Sequence, residues 1–248
     1  MKIVRRIGSL LIVVGIWHLC CIFKVPFLGN IPSPGEVIDE SIKYIPGARY
    51  FQNIAFSMVR IYIGFFLGAV AGVPLGIAMG WNKKFRWLTF PLFEILRPIP
   101  VIAWIPIAVI MFKTTEQSIW WLIFLGAFFP IGLNSFYGTS TVPLDQVRAA
   151  RSLGASKKDL LFKVILPAAS PAIYTGMEIS MGLTWVILVA GEMVSGGWGI
   201  GYMTWEAYIL VTYPRIILGM LTIGACGWSF STIIRKVADI SMPWRRLF

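Results

Sequence analysis

The chain reads as an all-α integral membrane protein. Six transmembrane helices are expected, with both termini and one helical hairpin on the cytoplasmic side. Three observations predict this. Of 248 residues, 57% are apolar and only 13% are charged, where a water-soluble domain has about 45–50% and about 25%; the mean hydropathy is +0.76. Six apolar runs approach or exceed the roughly 20 residues that cross a bilayer. The net charge of +11 is gathered into short Lys/Arg clusters between those runs. A basic excess often points to nucleic acid, but this alternation is the positive-inside pattern of membrane proteins.

The first run, "MKIVRRIGSLLIVVGIWHLCCIF", has the basic start and apolar core of a secretory leader. No small-x-small cleavage site follows, so it is read as a retained first helix. The six expected spans are roughly residues 7–23, 53–80, 88–112, 117–137, 171–194 and 213–235. With the N-terminus inside, the inner segments hold fifteen basic residues: Lys2, Arg5, Arg6, Lys83, Lys84, Arg86, Arg148, Arg151, Lys157, Lys158, Lys163, Arg235, Lys236, Arg245 and Arg246. The outer segments hold five: Lys24, Lys43, Arg49, Lys113 and Arg215. That asymmetry sets the orientation. The whole chain, 1–248, is expected to form one membrane domain with its core at about 50–236.

Between the first two spans, "VPFLGNIPSPGEVIDE" is a Pro/Gly-rich loop with a short helix beginning after Pro34. The last outer segment, "SGGWGIGYMTWEAYILVTYPR", is rich in interfacial aromatics. It predicts a short surface or re-entrant helix around 202–210. Pro74, Pro98, Pro100, Pro106 and Pro130 fall inside the spans, where bundle neighbours can re-satisfy the freed backbone groups; each is expected to kink its helix.

A basic island interrupts the apolar pattern: "STVPLDQVRAARSLGASKKDLLFKVILP". Pro143 suits a first helical turn. Gly154 suits the left-handed position after a helix end. Ser156 and Asp159 form a capping box before a second apolar run, which Pro167 ends. Two short helices are therefore expected, about 143–153 and 157–166. Leu144, Val147, Ala150 and Leu153 make one apolar stripe on the first. An apolar stripe rimmed by charge marks an interaction surface.

These residues resemble the signature of ABC importer permeases: Glu-Ala-Ala, three residues, Gly, then nine residues and Ile-x-Leu-Pro. Here it reads Arg148-Ala149-Ala150, Gly154, Val164, Leu166 and Pro167. Arg148 stands where Glu is usual, and Val164 where Ile is usual. "LRPIPVIAWIPIAVIMF", "GEMVSGGWGIGYMTWEAY" and "PSPGEV" are similar to the nitrate, sulfonate, taurine and bicarbonate importer group. The resemblance implies a permease subunit without its own ATPase, located in the bacterial inner membrane. It also implies that Arg148, Ala149, Ala150, Arg151, Leu153, Gly154, Ala155, Ser156, Asp159 and Pro167 form a coupling element that docks on an ATP-binding subunit. Two such subunits, a second permease copy and an extracytoplasmic binding protein are the implied partners. The implied solute is a small oxyanion such as nitrate, a sulfonate or taurine, or bicarbonate; the alternative is an uncharged aromatic or vitamin-precursor solute.

The chain has no G-x-x-x-x-G-K-[ST], so ATP and Mg are expected on the partner and no cofactor on this chain. "GWGIG" at Gly197–Gly201 lacks dinucleotide-loop context and predicts a tight turn. Cys20, Cys21, Cys226 and the lone His18 lie in apolar runs without metal-ligand spacing. Ionisable residues within or near spans are candidates for a solute pathway: Arg60, Arg97, Glu178 and Glu192. Glu94 and Arg97 are three apart and can pair on one face. Arg60 is either a guide for an anionic solute or a binder of backbone carbonyls. An ion-coupled secondary transporter is the competing class; it would leave the hairpin without a purpose.

Overall fold

The computed structural model describes residues 2–23, 25, 31–195 and 197–244, with the side chains of 2–7 and 9–11 excluded. Lys24, Arg245 and Arg246, and the side chains of Lys2, Arg5 and Arg6, fall outside it, as does part of the first outer loop. The regular structure of the described residues is helical throughout. In chain order the helices are α1 (Lys2–Ile22), α2 (Pro34–Tyr44), α3 (Ala48–Trp81), α4 (Lys83–Leu96), α5 (Ile105–Met111), α6 (Thr115–Ser140), α7 (Leu144–Ser152), α8 (Lys157–Asp159), α9 (Leu166–Ser195), α10 (Ile200–Ile209) and α11 (Tyr213–Ser241). The chain divides into two compact units, Met1–Ser57 with Gly196–Gly224, and Met58–Ser195 with Ala225–Phe248.

In the first unit, α2 begins where the sequence predicts. Pro34 occupies the first turn, and Ser33 and Glu36 close a reciprocal capping box. The expected turn at Gly197–Gly201 is present, with positive φ at Gly197 (105°) and Gly199 (132°), a region open chiefly to glycine. It delivers the chain into α10, the short helix expected near 202–210. The start of α10 is capped from α3: Asn53 Oδ1 accepts from Gly199 N–H at 3.0 Å, and Ser57 Oγ accepts from Ile200 N–H at 2.8 Å. Both side chains are buried, so these bonds satisfy donors that a helix start leaves open. A charged cluster surrounds Tyr44: Arg215 pairs with Glu40 at 2.6 Å, and its guanidinium lies 4.2 Å from the Tyr44 ring centroid. Burial pushes the Tyr44 phenol above its ordinary value, against the pull of Arg215.

The second unit is built on glycine. Gly64, Gly68, Gly72, Gly76 and Gly80 recur every fourth residue along one face of α3. A Cβ on Gly68 would lie 2.6 Å from Ala127 Cβ, and one on Gly64 would lie 2.5 Å from Ile123 Cβ. The α3 and α6 backbones therefore meet at a distance only glycine allows. The opposite side of α6 repeats the device against α9: a Cβ on Gly138 would lie 2.7 Å from Ala172 Cβ, and one on Gly176 would lie 2.7 Å from Asn134 Cβ. In lipid there is little hydrophobic drive between helices, so close backbone approach and van der Waals contact supply the association.

Among the described residues, four helices are long and apolar enough to cross a membrane: Ala48–Trp81, Thr115–Ser140, Lys157–Ser195 and Tyr213–Ser241. The span expected at 88–112 is not one straight helix. It is α4, a break, a 3₁₀ turn at Val101–Trp104 and α5, bent by 88°. Pro98 and Pro100 explain the break, since two donors are missing within three residues and the helical ladder cannot pass. Pro106 sits harmlessly in the first turn of α5. Pro74 and Pro130 lie within unbroken helices. The first expected span is represented by a shorter apolar stretch, Ile12–Ile22, and the rest of it rests on residues whose side chains are not described.

Pro167 does not end its run. The helix that starts at Lys157 passes through a π-helical segment, Leu160–Ile165, and continues as α9. Leu166 N–H reaches back to Leu161 C=O, five residues away. A widened turn is the usual accommodation for a ring that would strike the carbonyl four residues earlier. The second arm of the hairpin is thus the cytoplasm-side start of a spanning helix under the expected orientation, rather than a separate short helix.

Candidate functional site

The hairpin begins at Pro143, the N-cap of α7. Leu153 caps its other end, and Gly154 follows at φ +83°. Gly154 N–H donates to Arg151 C=O at 2.9 Å, and Ala155 N–H donates to Ala150 C=O at 3.1 Å. These two bonds are a Schellman closure, which consumes carbonyls the helix end leaves free. The second arm is capped at once. Asp159 N–H donates to Ser156 Oγ at 3.2 Å, and Ser156 N–H donates to Asp159 Oδ2 at 3.2 Å. Lys163 Nζ lies 2.6 Å from Asp159 Oδ1. Leu160 and Ile165 are buried and anchor this arm. Arg148 pairs with Asp145 at 3.6 Å, both exposed to solvent. Leu144 and Leu153 stand 68% and 89% exposed, while Val147 and Ala150 between them are half-buried. The bonds that close the turn are all local, so the hairpin is a stiff element with two leucines presented outward.

Of the four ionisable span residues, the structure brings Arg60 and Glu192 together and adds a third group. Arg60 Nη1 donates to Glu192 Oε1 at 2.8 Å, and Nε donates to Glu116 Oε2 at 2.8 Å. Nη2 donates to the second Glu116 oxygen. The Arg60 and Glu192 side chains are 3% and 0% exposed, and Glu116 is 38% exposed. The fork grips one carboxylate with two donors and reaches the other with a third, joining α3, the first turn of α6 and the end of α9. Sequence reasoning missed Glu116 because it lies at the expected boundary of a span. An arginine inside a span pairs with an opposite charge or with backbone carbonyls at its own depth, and the first of these is the signal that points to span-end acids. Arg97 pairs with Glu94 at 3.3 Å on α4, half in solvent. Glu178 is exposed on α9 and makes no hydrogen bond or ion pair among the described residues.

Two cavities flank these groups. One, of about 450 Å³, is walled by Arg97 and Pro98–Ile102 at the broken span, by Phe129 and Asn134 of α6 and by Ile179, Leu183 and Val186 of α9. Its lining is mostly apolar. The other, of about 300 Å³, lies among α5, the start of α6 and the end of α9, with Lys113, Thr115, Ser118 and Ser195 on its wall. No group of three or more His, Cys, Asp or Glu able to hold a metal exists among the described residues.

Long apolar helices packed through glycine, a broken span and a capped polar hairpin between two crossings define a multi-pass membrane protein of the transporter class. The chain belongs to the family of binding-protein-dependent transport system inner membrane components, whose model matches residues 72–247. It is a permease subunit of an ABC importer. A putative ABC transporter permease protein of Methanocaldococcus jannaschii is 35% identical over 99% of this chain and 94% of its own. The nitrate import permease protein NrtB of Synechocystis sp. is 32% identical, over 98% and 90%. The taurine transport system permease protein TauC of Escherichia coli is 31% identical, over the same shares. Among solved structures, an inward-facing form of the MetNI methionine ABC transporter aligns at TM-score 0.59 and 20% identity, over 75% of this chain and 95% of that one. An amino acid ABC transporter aligns at 0.57 and 18%, over 82% and 96%. At those identities the likeness is one of fold.

Proposed function

We propose that two copies of this chain form the solute pathway of an ATP-driven importer in the cytoplasmic membrane. Each copy engages one ATP-binding subunit through the hairpin Pro143–Leu166. The observation that carries this reading is the hairpin itself: a left-handed glycine, a Schellman closure and a capping box fix its angle, and Leu144 and Leu153 face outward. A mere connector between spans needs none of these. The second arm continues without interruption into α9, so a push on the hairpin moves a membrane-spanning helix directly. The partner subunits carry ATP and Mg. A binding protein delivers solute from the outer side, and the basic clusters favour an inside location for the hairpin and both termini.

In this reading Arg60 is a structural clamp rather than a guide for anions, since two carboxylates already occupy its fork. The relatives' names span nitrate, taurine and bicarbonate. Membership therefore sets a small solute and leaves its charge open. The test is ATP-dependent uptake by the reconstituted importer carrying Gly154→Val. Normal uptake in that variant would falsify the coupling role. A chain that purifies without an ATPase subunit would instead favour an ion-coupled carrier.

A further inference from the structure

Helix α10 ends in a Schellman closure. Thr212 N–H donates to Ala207 C=O at 2.9 Å, and Val211 N–H donates to Tyr208 C=O at 3.2 Å. The residue just past the helix end in this motif takes the left-handed conformation and is usually glycine. The hairpin follows that rule with Gly154. Here the position holds Val211 at φ 59°, the only non-glycine residue with positive φ among the described residues. A β-branched side chain is strained there, and such strain persists only where surrounding contacts compensate it. This chain does not supply them, since Val211 is 63% exposed. The compensating contact lies outside the chain.

The neighbours of Val211 define the kind of contact. Tyr208, Ile209, Leu210 and Tyr213 are exposed with it, and no charge occurs from Ala207 to Pro214. Exposed apolar residues gathered in one place mark an interaction surface. Trp205, one turn earlier, stacks on Tyr208 with ring centroids 5.4 Å apart; such aromatics collect at a membrane–water boundary. The turn also leads straight into α11. Between Arg215 and Arg235 that helix has a charge-free stretch, Ile216–Ile234, of nineteen residues. At 1.5 Å per residue it is about 28 Å long, which matches a hydrocarbon layer of about 30 Å. The two arginines therefore stand at the edges of the layer, and the turn just ahead of Arg215 falls at the membrane surface. A soluble partner fits less well, because a transient protein interface is no more apolar than the rest of a protein surface.

We infer that Tyr208–Tyr213 is a lipid anchor: Ile209, Leu210 and Val211 dip into the leaflet at which α11 enters, with Trp205 and Tyr208 at the waterline. Under the charge-based orientation this is the outer leaflet. Helix α10 is then held at its start by Asn53 and Ser57 of α3 and at its end by lipid. The anchor does not depend on which solute or ATPase the chain serves.

The test uses the full chain in phospholipid vesicles, with Cys20, Cys21 and Cys226 replaced by alanine and a nitroxide spin label on Leu210→Cys. Collisions of the label with oxygen, which concentrates in lipid, are compared with collisions with a water-soluble nickel chelate. A label on Asp39→Cys, exposed on α2, is the aqueous reference. Oxygen should relax the label at 210 at least about threefold more than the nickel chelate does, as for a group about 5–10 Å inside the interface. The preference should reverse at 39. Ile209→Asn with Val211→Asn removes the apolar groups, while asparagine accepts the left-handed turn. That pair should return the label at 210 to the nickel chelate. Adding the binding protein should change none of these readings. Nickel access at 210 in the chain with Ile209 and Val211 intact overturns the anchor, and so does an oxygen preference that survives the two asparagines. Shielding from both relaxers at the outset would assign the turn to a second copy. Shielding that appears only with the binding protein would assign it to that partner, and either result removes the lipid anchor.

Discussion

Arg60 places three donors on two carboxylates, one fully buried and one partly in solvent. Removing one partner of a buried pair strands a charge and costs about 3–5 kcal/mol, whereas removing both can be close to neutral. Arg60→Leu should therefore lower the unfolding temperature in detergent far more than Arg60→Leu with Glu192→Leu. Equal loss in the two variants would mean that Glu192 does not depend on Arg60. Glu116→Gln should be the mildest change, because water reaches that carboxylate. Arg60 and Glu192 are both visible in the sequence as costly groups in apolar runs. Their pairing is not, since they lie 132 residues apart and nothing in either local pattern names the other.

At the scale of elements, two glycine positions make opposite demands. Gly154 has open space around it, with nothing within 4 Å of where a Cβ would stand, but its φ is +83°. A β-branched residue there should cost about 1 kcal/mol or more through backbone strain alone. Gly154→Val should insert into membranes and yet lose ATPase binding or uptake, while Gly154→Asn, which tolerates this conformation, should keep both. Arg148→Glu should be tolerated, because the exposed Arg148–Asp145 pair contributes little. Gly68 has the reverse problem, a helical backbone with Ala127 in the way. Gly68→Val should force α3 from α6 and cost about 1–3 kcal/mol or more, as overpacking does. Gly224→Ala, with nothing within 4 Å, should be neutral or stabilising by up to about 1 kcal/mol. Thermal unfolding of the Gly68 and Gly224 variants beside the unaltered chain checks the ranking. The capped hairpin is legible from single residues because caps and turns are local chemistry. The glycine stripe is present in the letters, but its meaning depends on which helix lies opposite.

For the whole molecule, the basic asymmetry predicts which ends of the helices are reachable from each side. In a variant whose Cys20, Cys21 and Cys226 are replaced, single cysteines at Lys84 and Lys157 should react only from the cytoplasm. Cysteines at Asp39 and Trp205 should react with an impermeant reagent outside. Labelling of position 157 from outside would reverse the orientation and place the hairpin beyond reach of any ATPase. The purified complex should also have the mass of two permease and two ATPase chains, the commonest closed symmetry for such an assembly being two-fold.

What the sequence determined by itself is what composition and local stereochemistry control: a bilayer as solvent, most of the crossing segments, and the hairpin with its caps. Those properties are read over a few residues or summed over the chain, and neither needs to know what touches what. The three-dimensional structure alone decided where proline breaks a helix and where it does not. Pro98 and Pro100 turn a span by 88°, while Pro167 is absorbed by a π turn into one continuous helix. It alone placed Glu116 on Arg60, left Glu178 exposed on α9 and set Arg97 on the wall of a cavity. These outcomes depend on packing between segments far apart in the chain, where the energy of a residue is set by its neighbours rather than by its own preference.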